Sequence, residues 1–228
     1  MKLWSDCFMK EISKKELFKR YILFIISLFF SALGVAFSKH AELGVSPISS
    51  VANVLSCQFT AFSLGTWLII WNCILILGQI VLLRKNFKLI QLLQIPLSFV
   101  FGWFTDLGMW IVNPIPVNSY PTQLLLVLIG IFIMGFGIAL SVIADVILNS
   151  GEAFVKAISD TFRKEFSNIK IGFDISCVIL ALELSLLFFD FRIVGTREGT
   201  VLAAILTGLV VKFFTKRFSA PLNFILKK

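Results

Sequence analysis

Histidine is almost missing from this sequence: His40 is the only one. A histidine-based metal cluster or a His-containing catalytic triad is therefore not expected. The four cysteines, Cys7, Cys57, Cys73 and Cys177, form no CxxC pair and have no histidines beside them, which excludes a zinc site and gives no sign of a disulfide framework. There is no Walker loop, zincin motif, nucleophile elbow or dinucleotide-binding glycine fingerprint. On this reading the chain is not an enzyme and carries no cofactor. Charge is scarce as well, at 15% of residues against 58% apolar, with a mean hydropathy of +0.94. Such a chain is too apolar for a water-soluble domain of its size.

What is present is a series of long apolar runs. A helix needs about 20 mostly apolar residues to cross roughly 30 Å of hydrocarbon. Runs of that kind lie at about Leu17–Lys39, Leu64–Leu83, Leu89–Val112, Thr122–Leu148 and Ile171–Phe189, with a shorter one at Gly199–Phe214. The stretch Tyr21 to Ser38 is too long for the apolar core of a signal peptide, lacks an A-x-A site, and recurs later in the chain, so it reads as a retained first span. Two further segments, Gly44–Phe59 and Asn149–Ser167, look too polar to cross. Residues 1–20, with apolar side chains set among lysines, read as an interfacial helix.

The net charge of +8 would point to nucleic acid if it were clustered on a soluble domain. Here the bases sit between spans. Of the 21 Lys and Arg, all but Lys39, Arg192 and Arg197 fall on one side of a six-span topology. Cytoplasmic loops collect such residues, so both termini are expected inside, in the cell membrane. The expected partners are membrane lipid and a small-molecule solute, with a second copy of the chain or a partner membrane protein left open. No nucleic acid is expected.

Sliding the sequence against itself places FFSALGVAFSKHAE from Phe29 on FIMGFGIALSVIAD from Phe132. Gly34 then pairs with Gly137, Ser38 with Ser141, and Glu42 with Asp145. After a shift of three residues Ser98 meets Ala204 and Gly102 meets Gly208. Each half holds three spans, an odd number, so the halves enter the membrane from opposite sides. Inverted repeats of this kind build many secondary transporters, in which polar sites form where the repeats meet. The expected organisation is an N-terminal helix (1–20), repeat one (21–113), an external loop (114–121), repeat two (122–216) and a tail (217–228). The fold class is an all-α polytopic transmembrane bundle of about six spans in two inverted three-span repeats, each with a short non-spanning or re-entrant helix.

Candidate binding residues follow from that layout. In GVSPISS, Ser46 is a helix N-cap, Pro47 the first helical residue, and Ser49 and Ser50 lie in the first turn. In NSGE, Asn149 or Ser150 caps and Glu152 sits in the first turn. Either helix end would present free N–H groups to an anion or polar ligand, or else be an ordinary capped interfacial helix. Ionisable residues within spans are costly and so are functional candidates. Glu183 is the deepest, on a face shared with Ser176 and Asp190 that is expected to look into the bundle. Asp106 lies in the outer part of the third span, on a row with Gln94, Ser98 and Gly102. Glu42 and Asp145, as repeat mates flanking the non-spanning segments, are candidate gates or simply headgroup-level acids. The small residues Ser27, Gly34, Ser38, Gly130, Gly137 and Ser141 form matching stripes for close helix packing.

The stretch GVAFSKHAELGVSPISSVANVLS, with SLGTWLIIWNCILILGQIVLLRKNF after it, resembles the YczE/YyaS/YitT group of bacterial inner-membrane proteins. Ala41, Leu43, Gly44, Ser46 and Pro47 carry the motif. The resemblance implies a multi-pass bacterial plasma-membrane protein and supplies no catalytic residues. Half two departs from the pattern at NSGE, where no proline follows. Three functions remain open from the sequence: a transporter or permease-like protein for a small solute, an accessory or scaffold protein that binds partner proteins, and a lipid-modifying membrane enzyme.

Overall fold

The computed structural model describes residues 13–227, and the chain is all helical apart from short connections. The helices are α1 (Lys14–His40), α2 (Pro47–Gln58), α3 (Leu64–Leu83), α4 (Gln94–Val112), α5 (Tyr120–Ala144), α6 (Ser150–Phe162), α7 (Phe166–Phe188) and α8 (Glu198–Lys227). Six of them, all but α2 and α6, are long and apolar enough to cross a membrane. The chain is an all-α polytopic membrane protein.

The boundaries follow local chemistry. Pro47 opens α2, where its missing N–H is no loss and its fixed φ suits the first turn. Ser63 caps α3 by accepting a hydrogen bond from the Thr66 amide. The fourth span stops at Ala144, short of the Leu148 expected, because Asp145 turns left-handed with φ of 50°. Glu42, the residue expected from the sequence to correspond to it, also takes the left-handed region just beyond α1, with φ of 61°. The last helix is longer than expected: the tail placed at 217–228 continues α8 as far as Lys227, with Pro221 inside it. The interfacial helix expected over 1–20 falls outside the described residues up to position 12. From Lys14 onward that stretch is the first part of α1.

α1 and α5 form the centre. In their most apolar stretches 50% and 61% of residues are buried, against 28% or less in the other spans. Lipid tails are as apolar as leucine, so helices in a bilayer associate through close packing of small residues rather than through hydrophobic burial. That is how these two meet. A methyl group at Gly34 would strike Met134 and the Gly130 carbonyl, and one at Gly137 would strike the backbone of Ser27 and Ser31. α4 and α8 flank the pair, α3 packs on α4, and α7 is held by α2 and α6. Val51 and Val54 of α2 pack with Cys177 and Ala181 of α7. The turns before α2 and α8 are also knitted together, since Gly199 donates to the Leu43 carbonyl at 2.8 Å. Gly44 sits in that contact at φ of 103°, against Thr200, where a side chain would be strained and crowded.

Candidate functional site

The two non-spanning helices point their N-terminal ends at one another. A side chain at Gly151, in the first turn of α6, would press on Ile48 in the first turn of α2. Between and around these tips lies a cavity of about 490 Å³. Five residues singled out from the sequence line it: Ser46 and Ser49 from α2, and Asn149, Ser150 and Glu152 at the start of α6. The caps are incomplete. Neither the Ser46 nor the Asn149 side chain accepts a hydrogen bond from the first turn that follows it. Both ends thus leave backbone donors and the positive end of a helix dipole at the cavity.

Polar groups gather at the α6 tip. The amides of Gln79 and Gln94, both buried, exchange hydrogen bonds of 3.0 and 3.1 Å, and Gln79 also donates to the Ser150 carbonyl at 3.3 Å. The hydroxyls of Ser98 and Ser150 lie 3.3 Å apart. Lys170 of α7 donates to both carboxylate oxygens of Asp174, at 2.6 and 2.7 Å, and this half-buried ion pair lines the same cavity. Burial pushes the Glu152 carboxyl above its ordinary range. Lys170 and a backbone hydrogen bond oppose that rise, and Asp174 adds to it. The remaining wall is apolar, from Phe24 and Leu28 of α1, Leu97 and Phe101 of α4, and Met134 and Ile138 of α5. Three polar side chains on the lining have no partner among the described residues: the Ser31 hydroxyl, the Trp71 indole N–H and the Thr207 hydroxyl.

The other five sequence candidates lie elsewhere. Ser50, fully buried, donates to the Pro47 carbonyl at 2.6 Å and reaches the Cys177 carbonyl at 3.4 Å, which ties α2 to α7. Asp106 accepts from Ser63 Oγ at 2.6 Å and from the Gly65 amide at 2.9 Å, so it fastens the start of α3 to α4. Glu42 is exposed. Asp145 is half-buried beside Arg20, and its carboxyl is raised by burial and lowered by that guanidinium.

Glu183 requires a correction. It was expected to face a cavity inside the bundle, but Ser176, Glu183 and Asp190 are all exposed, and the buried face of α7 carries Cys177, Ala181 and Ser185. Hydrophobic pattern does not separate inside from outside in lipid; the small residues do. Arg20 is a residue the sequence reading passed over. It is 7% exposed, pairs with Glu16 at 2.9 Å, and donates to the Ile143 and Ala144 carbonyls at the end of α5, at 3.3 and 3.1 Å. It satisfies carbonyls that the helix end leaves free. Asp174, which was not among the sequence candidates, also lines the cavity.

Comparison with known proteins agrees with a membrane protein. A family of unknown function, DUF6198, matches residues 18–216. The chain belongs to that family. A relative is the uncharacterized membrane protein YczE of Bacillus subtilis (strain 168), 25% identical over 213 residues, with 92% of each chain covered. This bears out the YczE-type resemblance carried by Ala41, Leu43, Gly44, Ser46 and Pro47. No solved structure matches.

Proposed function

We propose that this chain is a transporter for a small solute, in which two inverted three-span halves expose one central site to each side of the membrane in turn. The observation that carries the reading is the convergence of the α2 and α6 tips on one cavity, at the meeting point of the two repeat halves. Broken or short helices in corresponding positions of inverted repeats are the usual origin of a transporter's binding site, because their ends offer unpaired backbone groups at membrane depth. The repeat mates Glu42 and Asp145, both left-handed just past the first helix of each half, support the same symmetry. The chain sits in the cell membrane with both termini in the cytoplasm, and it works without enzymatic chemistry or a cofactor. Impermeant thiol reagents applied to intact cells should then miss cysteines placed at Asn86 and Asp160; labelling of either rejects this orientation.

The reading is tested in vesicles loaded with the low-molecular-weight fraction of a bacterial lysate. Purified protein should let at least one solute equilibrate across the membrane faster than in protein-free vesicles, as followed by mass spectrometry. Exchange no faster than in protein-free vesicles for every detectable solute overturns the transporter reading. Stoichiometric copurification with another membrane protein would then favour the scaffold reading.

A further inference from the structure

The cavity has a side opening. α7 packs on α2 and α6, α8 packs on α5, and the two hardly meet. Ile171 on α7 and Ala204, Gly208 and Val211 on α8 all line the cavity, and Ile171, Ala204 and Gly208 are exposed. A methyl group added at Gly172 or Gly208 would meet nothing within 4 Å. All five residues belong to membrane-spanning helices. The slot between α7 and α8 therefore opens toward the hydrocarbon.

The lining describes what would pass. Most of the wall is apolar, and a volume of about 490 Å³ suits a drug-sized molecule rather than a whole two-chain lipid. The charged groups that face the polar end are Lys170 and Asp174 from α7 and Glu152 from α6. Lys170 and Asp174 cancel one another, and burial favours the neutral form of the third group, Glu152. The free N-terminal ends of α2 and α6 then add roughly half a positive charge each, about what one carboxylate neutralises. A second observation points to a ligand independently of the helix ends. Ser31 is 4% exposed, lines the cavity, and its hydroxyl has no partner among the described residues. A buried hydroxyl left unsatisfied is costly unless something else completes it.

We propose that the ligand is an amphipathic carboxylate, with one acidic head and one apolar tail, and that it reaches the cavity from the bilayer through the slot between α7 and α8. This deepens the transporter reading and rests on it. The head sits between the α2 and α6 tips and takes the Ser31 hydroxyl as a donor, and the tail lies along Leu97 and Phe101 of α4 and Met134 and Ile138 of α5.

The experiment uses the full chain in phosphatidylcholine vesicles, with Trp71 as the single tryptophan, and bromine-tagged probes that quench it. ω-Bromoundecanoate should quench Trp71 saturably. ω-Bromoundecanol, which lacks the acid, should need about tenfold more, and bromoacetate, which lacks the tail, should give no saturable quenching. Gly208→Phe, and independently Ala204→Phe, should raise the half-saturating ω-bromoundecanoate concentration about tenfold or more, because each fills the slot. Equal quenching by acid and alcohol overturns the head assignment. Saturable quenching by bromoacetate, or by ω-bromoundecanoate with both Phe variants behaving as wild type, overturns loading from the bilayer. Absence of saturable quenching by every probe overturns the whole inference. The vesicle exchange experiment is independent of these probes, so solute exchange without probe binding retires this inference alone.

Discussion

α3–α4 and α7–α8 occupy matching places in the proposed repeat, yet the first pair is packed and the second is parted. Gly102 lies against Gly65 and Ile69, so closely that a methyl group would not fit, while its repeat mate Gly208 faces open space. Small residues are needed for close approach in lipid, but they do not enforce it. The difference comes from a clasp. Asp106 on α4 accepts from Ser63 and Gly65 at the start of α3. Carried through the repeat, the position of Asp106 is Lys212, an exposed base with no carboxylate to offer the start of α7. Glu165, which caps α7, makes no side-chain capping bond either. One half is held shut by a short network, and among the described residues the other shows no counterpart of it.

The largest expected effect breaks the packed pair. Gly102→Leu should lower stability by about 3 kcal/mol through overpacking, whereas Gly208→Leu should stay within about 0.5 kcal/mol of wild type. Detergent-solubilised melting curves compare them directly, and equal losses would deny the asymmetry. A smaller loss, about 1 kcal/mol, is expected for Asp106→Ala, which removes the clasp. Lys212→Ala should cost nothing measurable by the same assay.

Glu152 sharpens the comparison through pH. Its carboxyl is raised in the folded protein, mainly by burial, so the folded state holds the proton more tightly than the unfolded one. Its contribution is fully present below the ordinary value of 4.5 and is lost as pH rises through the raised value. Relative to Glu152→Gln, wild type should therefore lose stability as pH increases from 4.5, with Lys170 and Asp174 as the charged neighbours that modulate the change. A difference between the two proteins that is flat from pH 4 to 8 would contradict this. The smallest effect belongs to Glu183→Gln: lying outside the cavity, it should leave ω-bromoundecanoate quenching unchanged, and a loss of binding would return Glu183 to the site.

Most of the fold was legible. The six spans and two short helices follow from hydropathy, from Pro47 and from the polar flanks of Asn149, because membrane thickness fixes how long an apolar run must be. Half of the candidate site was legible too. Ser46, Ser49, Asn149, Ser150 and Glu152 were found as helix-start residues, a local signal that does not depend on tertiary contacts. Which face of α7 turns inward was not legible, since isoleucine and leucine are at home on both faces; Cys177, Ala181 and Ser185 were the better guide to it. Arg20 was hidden for another reason. Its acceptors are backbone carbonyls at the end of α5, and a base beside other bases reads only as topology. Gln79 carried no local signal, because its partners, Gln94 and the Ser150 carbonyl, come from other helices.

If the chain is the transporter proposed above, exposing its site to each side in turn requires the parted and packed pairs to exchange roles. Pulsed electron-spin distances in vesicles test it, with labels on exposed positions of each pair, Ile175 with Ile205 and Ile70 with Trp103, in chains without native cysteines. Two distances are expected for each pair, and ω-bromoundecanoate should change their populations in opposite directions, the α7–α8 pair closing as the α3–α4 pair opens. A single unchanging distance for both pairs, with and without the probe, would contradict the alternating account.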